Sequence, residues 1–192
     1  MKDQAVRQKI LEATISSIEK YGIEGCTIRN IAKEAGMTFS SLHYYFESKD
    51  KLVEEAMTLA ISGFFEDLAG IWQNRADDHH AIVEMLTFLF DGAIRYPGIT
   101  RTGLYPLLMN GQTDGLFIMK LNAFLNQIVE DAAQRQTINK KLLSLKLSHA
   151  FSAVLFLGIS PKAFEACSGT DFFYQENRVH LVQIIANDLL NQ

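Results

Sequence analysis

Thr27–Leu52 reads TIRNIAKEAGMTFSSLHYYFESKDKL, and the fold follows from how this stretch divides. Thr27 precedes an apolar-periodic run and signals a helix start. Ile28, Ile31 and Ala32 then share one face, with Ala32 small enough for a second helix to cross closely. Gly36 permits a tight turn because it reaches positive φ at no steric cost. Thr38 starts a second short helix, in which Met37, Leu42 and Phe46 point back to the core. Two short helices joined by a glycine-containing turn form a helix-turn-helix. The outward face of the second helix carries Thr38, Phe39, Ser40, Ser41, His43, Tyr44 and Tyr45.

That face suits neither a core nor a plain solvated surface. The start of such a helix can enter the DNA major groove, where short side chains bring it close to the base edges. Hydroxyls exchange hydrogen bonds with bases and phosphates, and Phe39 can meet a thymine methyl. His43, Tyr44 and Tyr45 combine ring bulk with polar tips for phosphate oxygens. Arg29 and Lys49, near the starts of the flanking helices, can neutralise phosphates from either side. Simpler roles compete at single positions: Thr27 as a cap only, Arg29 paired with Glu34 or Glu12, Tyr44 packed beneath the first helix. A purely structural helix pair is the alternative for the whole stretch.

Outward from it, the chain reads as all-α, with about nine helices near residues 4–21, 28–35, 38–45, 49–72, 79–96, 98–110, 114–136, 138–159 and 172–191. The spacing of apolar residues is three and four throughout, with no sustained alternation. Gly22 is expected to end the first helix as a left-handed cap. The 160–171 stretch reads as an irregular connection. The 192 residues suffice for a sizeable core. Residues 1–51 hold 8 Lys/Arg and 7 Asp/Glu, or +1, whereas 52–192 hold 10 and 15, or −5. The first fifty residues are thus the better match for phosphate.

Two cysteines, Cys26 and Cys167, make neither a metal motif nor a dense disulfide framework. Cys26 reads as a small apolar filler. The N-terminus has no apolar signal core. The most apolar run, Ala150–Ile159, is about half of what a membrane span needs. A cytoplasmic protein with no membrane partner is expected. His79 and His80 are adjacent and diverge on a helix, so they are poor joint metal ligands. With no phosphate loop, metal pair or nucleophile motif, no enzyme activity, no cofactor and no metal are expected.

The 27–52 stretch resembles the signature of the TetR/AcrR family of transcriptional regulators. Thr27, Arg29, Ile31, Ala32, Ala35, Gly36, Thr38, Leu42, Phe46, Ser48, Lys49 and Leu52 match its pattern. One departure is His43, where the family often has a phosphate-contacting tyrosine. A histidine there still donates to phosphate and adds a pH-dependent charge. The resemblance implies DNA binding through Thr27, Arg29, Thr38, Phe39, Ser40, Ser41, His43, Tyr44, Tyr45 and Lys49. It implies a helix-turn-helix domain over 1–48 and a ligand-binding and dimerisation domain over 49–192.

It further implies a homodimer on a palindromic double-stranded DNA operator, released by a small effector. Residues 49–192 are rich in aromatic and deformable side chains, so an apolar or amphipathic ligand is expected. Phe64, Phe65, Met85, Phe88, Tyr105, Met109, Phe117 and Phe124 are its candidate lining. His149 is either a core or interface histidine or a polar anchor in that cavity. Gly63 and Gly70 suggest close approach or room for a ligand. In the family the last two helices pair between subunits; here Ser148, Ser152, Leu155 and Ile159, with Leu181, Ile184, Ile185 and Leu189, occupy that position. Two other readings stay open: a DNA-binding regulator answering a protein partner, and an all-helical enzyme or carrier with an incidental helix-turn-helix.

Overall fold

The computed structural model describes residues 2–135 and 137–190. Ten α-helices and no strand occur among the described residues: α1 Lys2–Gly25, α2 Ile28–Ala35, α3 Phe39–Tyr45, α4 Lys49–Gln73, α5 Asp78–Arg95, α6 Pro97–Asn110, α7 Leu116–Arg135, α8 Lys140–Ile159, α9 Glu165–Ser168 and α10 Gln175–Leu190. The helix beyond the expected nine is α9, a single turn inside the presumed irregular connection. Its four residues are too few for apolar periodicity to register.

The chain divides into two compact units, Met1–Phe64 with Gly98–Phe117, and Phe65–Pro97 with Ile118–Gln192. In the first, α1 buries Ile10, Ala13, Thr14, Ser17 and Ile18 and packs closely on α2. The helical course of α1 breaks at Gly22, with φ 70° and ψ 173°. This is an extended positive-φ conformation that essentially only glycine adopts, not the expected left-handed cap. Glu19 accepts a hydrogen bond from the Ile99 backbone N–H at 3.0 Å. A side chain at Gly98 would come within 2.7 Å of the Ile18 carbonyl oxygen, so glycine permits this approach of α6 to α1. Cys26 is buried and burial pushes its thiol pKa up, with a Ser17 hydroxyl contact opposing. That suits an inert filler.

In the second unit α5, α8 and α10 pack on one another. Leu147, Ala150, Phe151, Val154, Leu155 and Gly158 form the buried face of α8. A Cβ on Gly158 would lie 2.5 Å from that of Ala93, which marks the close crossing of α8 and α5. Arg178 is 6% exposed and bonds Asp91 at 2.6 Å and the Phe172 and Phe173 carbonyls at 2.9 Å. A buried charge is tolerable only when satisfied in this way. By length and composition alone, α8 could cross a membrane, with mean hydropathy 1.7 over its most apolar stretch. Beyond the apolar run Ala150–Ile159, the same helix adds the leucines at 142, 143, 145 and 147.

Candidate nucleic-acid interface

The turn between α2 and α3 is set by local chemistry. Thr27 accepts from Asn30 N–H at 3.2 Å and caps α2. Gly36 sits at φ 63°, ψ 37°. Its N–H reaches the Lys33 carbonyl at 3.2 Å, and Met37 N–H reaches Ala32 at 2.9 Å. These are the paired bonds of a Schellman termination. Thr38 then caps α3 by accepting from Ser41 N–H at 3.2 Å, and the two hydroxyls bond each other at 2.8 Å.

The two sides of α3 differ sharply. Leu42 and the following Phe46 are buried, whereas Phe39 is 57% and Tyr44 79% exposed. Thr38, Ser40 and His43 are exposed too, with Ser41 and Tyr45 half-buried. Tyr44 therefore does not pack beneath α1. The Phe39 and His43 rings meet edge-on at 4.5 Å, and Tyr44 and Tyr45 at 5.0 Å. The Tyr45 hydroxyl reaches Asp3 over a long 3.4 Å; burial first, and the Asp3 charge second, raise its phenol pKa.

Arg29 is exposed and Lys49 half-buried, and neither forms an ion pair among the described residues. Glu34 instead holds Lys20 at 3.0 Å, and Glu12 accepts from Gln8. The pairings weighed for Arg29 are therefore not made. Ser48 caps α4 by accepting from Lys51 N–H at 3.1 Å. All ten expected DNA contacts thus fall in one short stretch with their side chains at least partly accessible.

Residues 10–56 match the family model of bacterial regulatory proteins of the tetR family. This N-terminal part of the chain is of the tetR-regulator type. It is 47% identical over 53 residues to the HTH-type transcriptional regulator PksA of Bacillus subtilis, covering 28% of this chain and 26% of that one. It is 32% identical over 84 residues to the HTH-type transcriptional repressor KstR2 of Mycolicibacterium smegmatis, covering 44% and 39%. These matches span well under half the length of the relatives. The structure of FadR from Bacillus subtilis in complex with stearoyl-CoA aligns with a TM-score of 0.64 at 15% identity, over 96% of this chain and 97% of that one. At that identity the likeness is one of fold.

The residues expected to line a ligand site divide between the two units. In the first, Phe64 stacks on Phe117 at 6.4 Å. Tyr105 and Met109 are 48% and 65% exposed, because α6 turns them away from buried Leu104. In the second, Phe65, Met85 and Phe124 are buried and Phe88 half-buried, with Phe124 edge-on to Phe65 and Phe151. His149 is exposed, opposite the buried Ala150–Phe151 side of α8, and so is not a core histidine. A Cβ at Gly63 or Gly70 would meet nothing within 4 Å, so these glycines do not mark close contacts.

Of the expected dimer residues, Ser148, Ser152 and Ile184 are exposed, and Ile159, Leu181 and Ile185 half-buried. Leu155 and Leu189 are only 8% and 5% exposed and already pack inside their own unit. The surface row on α8 also includes Leu145 and Phe156, which were not among the expected dimer residues. Also unforeseen is a cleft of about 350 Å³ lined by Trp72, Ile82, Ile128, Leu142 and Lys146 among others. Beside it Arg75 lies 3.8 Å over the Trp72 ring and binds Asp78 and Asp131, each at 2.7 Å. Its residues come from distant parts of the chain, so no local spacing announces it.

Proposed function

We propose that this chain is a homodimeric, cytoplasmic repressor that binds a palindromic operator and is released by a small apolar or amphipathic effector. The exposed face of α3 carries the reading. Its aromatic and hydroxyl side chains lie outside a buried Leu42–Phe46 seam, between two cations without ion-pair partners among the described residues. Residues 1–48 act as the DNA-binding part and 49–192 as the sensing and pairing part. The exposed row Leu145, Ser148, Ser152 and Phe156 of α8, with Ile184 of α10, pairs with a second copy. Two-fold symmetry then sets two recognition helices about 34–36 Å apart on one face of the duplex.

The aromatic content around Phe65, Phe88 and Phe124 favours an apolar effector. The fold shared with FadR, solved with stearoyl-CoA, makes a long-chain acyl thioester the first compound to try. Release requires that the effector bind the DNA-free form more tightly. Duplexes selected from a random pool by the full chain should yield a palindrome bound at about 10⁻⁸–10⁻¹¹ M. Failure to select any sequence above background would end the reading. Stearoyl-CoA should loosen that complex; indifference to it and to other amphiphiles would remove the effector part alone.

A further inference from the structure

Seven residues make α3 only two turns long, too short to be stable alone. Its last carbonyls are open to an external partner, and Arg7 of α1 supplies one. Its guanidinium donates to the Tyr45 carbonyl, the last residue of α3, at 2.9 Å. The same group lies 4.3 Å over the Phe46 ring and forms an ion pair with Glu55 of α4. An isolated exposed ion pair contributes little. Here one planar, five-donor group touches α1, the end of α3 and α4 together. A cation at a helix C-terminus is also favoured by the helix dipole.

We propose that Arg7 is the positioning residue of the recognition helix, fixing the end of α3 to α1 and α4 without itself touching DNA. The inference rests on the DNA-binding reading for its affinity effects, but its structural core does not. Lysine cannot replace it fully, because an ammonium cannot reach a carbonyl, a ring face and a carboxylate in fixed planar array. Glu55 gives α4 a hold on α3 through Arg7, so that a displacement of α4 reaches the recognition helix through that one side chain.

The test uses the full chain, a duplex selected by the wild-type protein, and the variants Arg7→Ala, Arg7→Lys and Glu55→Gln. Arg7→Ala should weaken binding about ten- to a hundredfold and leave the slope of log affinity against log salt unchanged. Arg7→Lys should recover only part of the loss, and Glu55→Gln should cost about threefold. In protein without DNA, amides of residues 42–47 in Arg7→Ala should exchange about tenfold faster, with those around Ile10 and Leu11 unchanged. Affinity within twofold of wild type would overturn the proposal. So would a salt slope lowered by about one, which marks a direct phosphate contact, or unaltered exchange at 42–47. If Arg7→Ala does not fold, Arg7→Lys and Glu55→Gln decide by the same readouts. If the wild-type protein selects no duplex, the DNA-binding reading fails and the exchange comparison alone decides the role of Arg7.

Discussion

The exposed face of α3 with its flanking cations, and the second unit, treat most of their polar groups in opposite ways. Beside α3, Arg29 and Lys49 are without ion pairs among the described residues, and Ser40, His43 and Tyr44 stand exposed. In the second unit, Arg75 and Arg135 bind Asp78 and Asp131, and Arg178 binds Asp91. Even the exposed serines of α8 turn inward. Ser148 donates to the Ser144 carbonyl at 2.8 Å, and Ser152 donates to that of Ser148. Polar groups left unsatisfied at a surface are available to a charged, hydrogen-bonding partner. Groups satisfied by their own helix leave a small, nearly apolar surface that a second protein helix can approach. The two surfaces differ more in this respect than in hydrophobicity, since both expose aromatic rings, and the proposed DNA and dimer contacts rest on that difference.

The largest test breaks the protein-facing half. Phe156→Asp puts a charge into the exposed row of α8 and should convert a dimer to monomers in sedimentation. Operator affinity should fall by about a hundredfold or more, since one half-site contact replaces two. A dimer that survives this change would move the pairing surface elsewhere. Next in size, Tyr44→Ala should weaken the operator complex about tenfold with the melting temperature unchanged, because Tyr44 contributes almost nothing to the core. Lys49→Ala should act more mildly, and its mark is a salt slope reduced by about one. If Lys49→Ala left the slope intact, that cation would be shown not to meet phosphate.

Much of the first surface was legible in sequence because its causes are local. Thr27, Gly36 and Thr38 each act on bonds within five residues, and cap chemistry is a short-range code. The burial of Leu42 and exposure of Tyr44 follow from helical spacing alone. The second unit was less legible because its outcomes depend on partners far along the chain. Leu155 and Leu189 sit at helical positions that suit either a dimer face or a core. Only the placement of α5 against α8 and α10 decides for the core. His149 is the same problem reversed: an apolar neighbourhood in sequence, yet a surface position in the helix. Arg7 escaped notice for the same reason, since Tyr45 and Glu55 lie 38 and 48 residues away.

The smallest effect probes the paired charges themselves. Burial alone would raise the Asp78 pKa, but hydrogen bonds from Arg135 and Arg75 outweigh it and hold the carboxyl below its ordinary value of 3.8. A depressed folded-state pKa means that the unfolded chain binds the proton first as pH falls. The stabilisation is then complete above the ordinary carboxylate range and is lost as pH drops through the folded value. Melting temperature measured from pH 6 down to pH 2 should therefore fall less steeply in Asp78→Asn than in wild type, the two curves converging at the acid end. Near neutral pH the variant should be the less stable of the two, by an amount limited by the partial exposure of Arg135. Parallel curves would show that Asp78 titrates alike in folded and unfolded chains. Arg75 and Arg135 would then be tied through Asp131 alone, and their contrast with Arg29 and Lys49 would be the weaker for it.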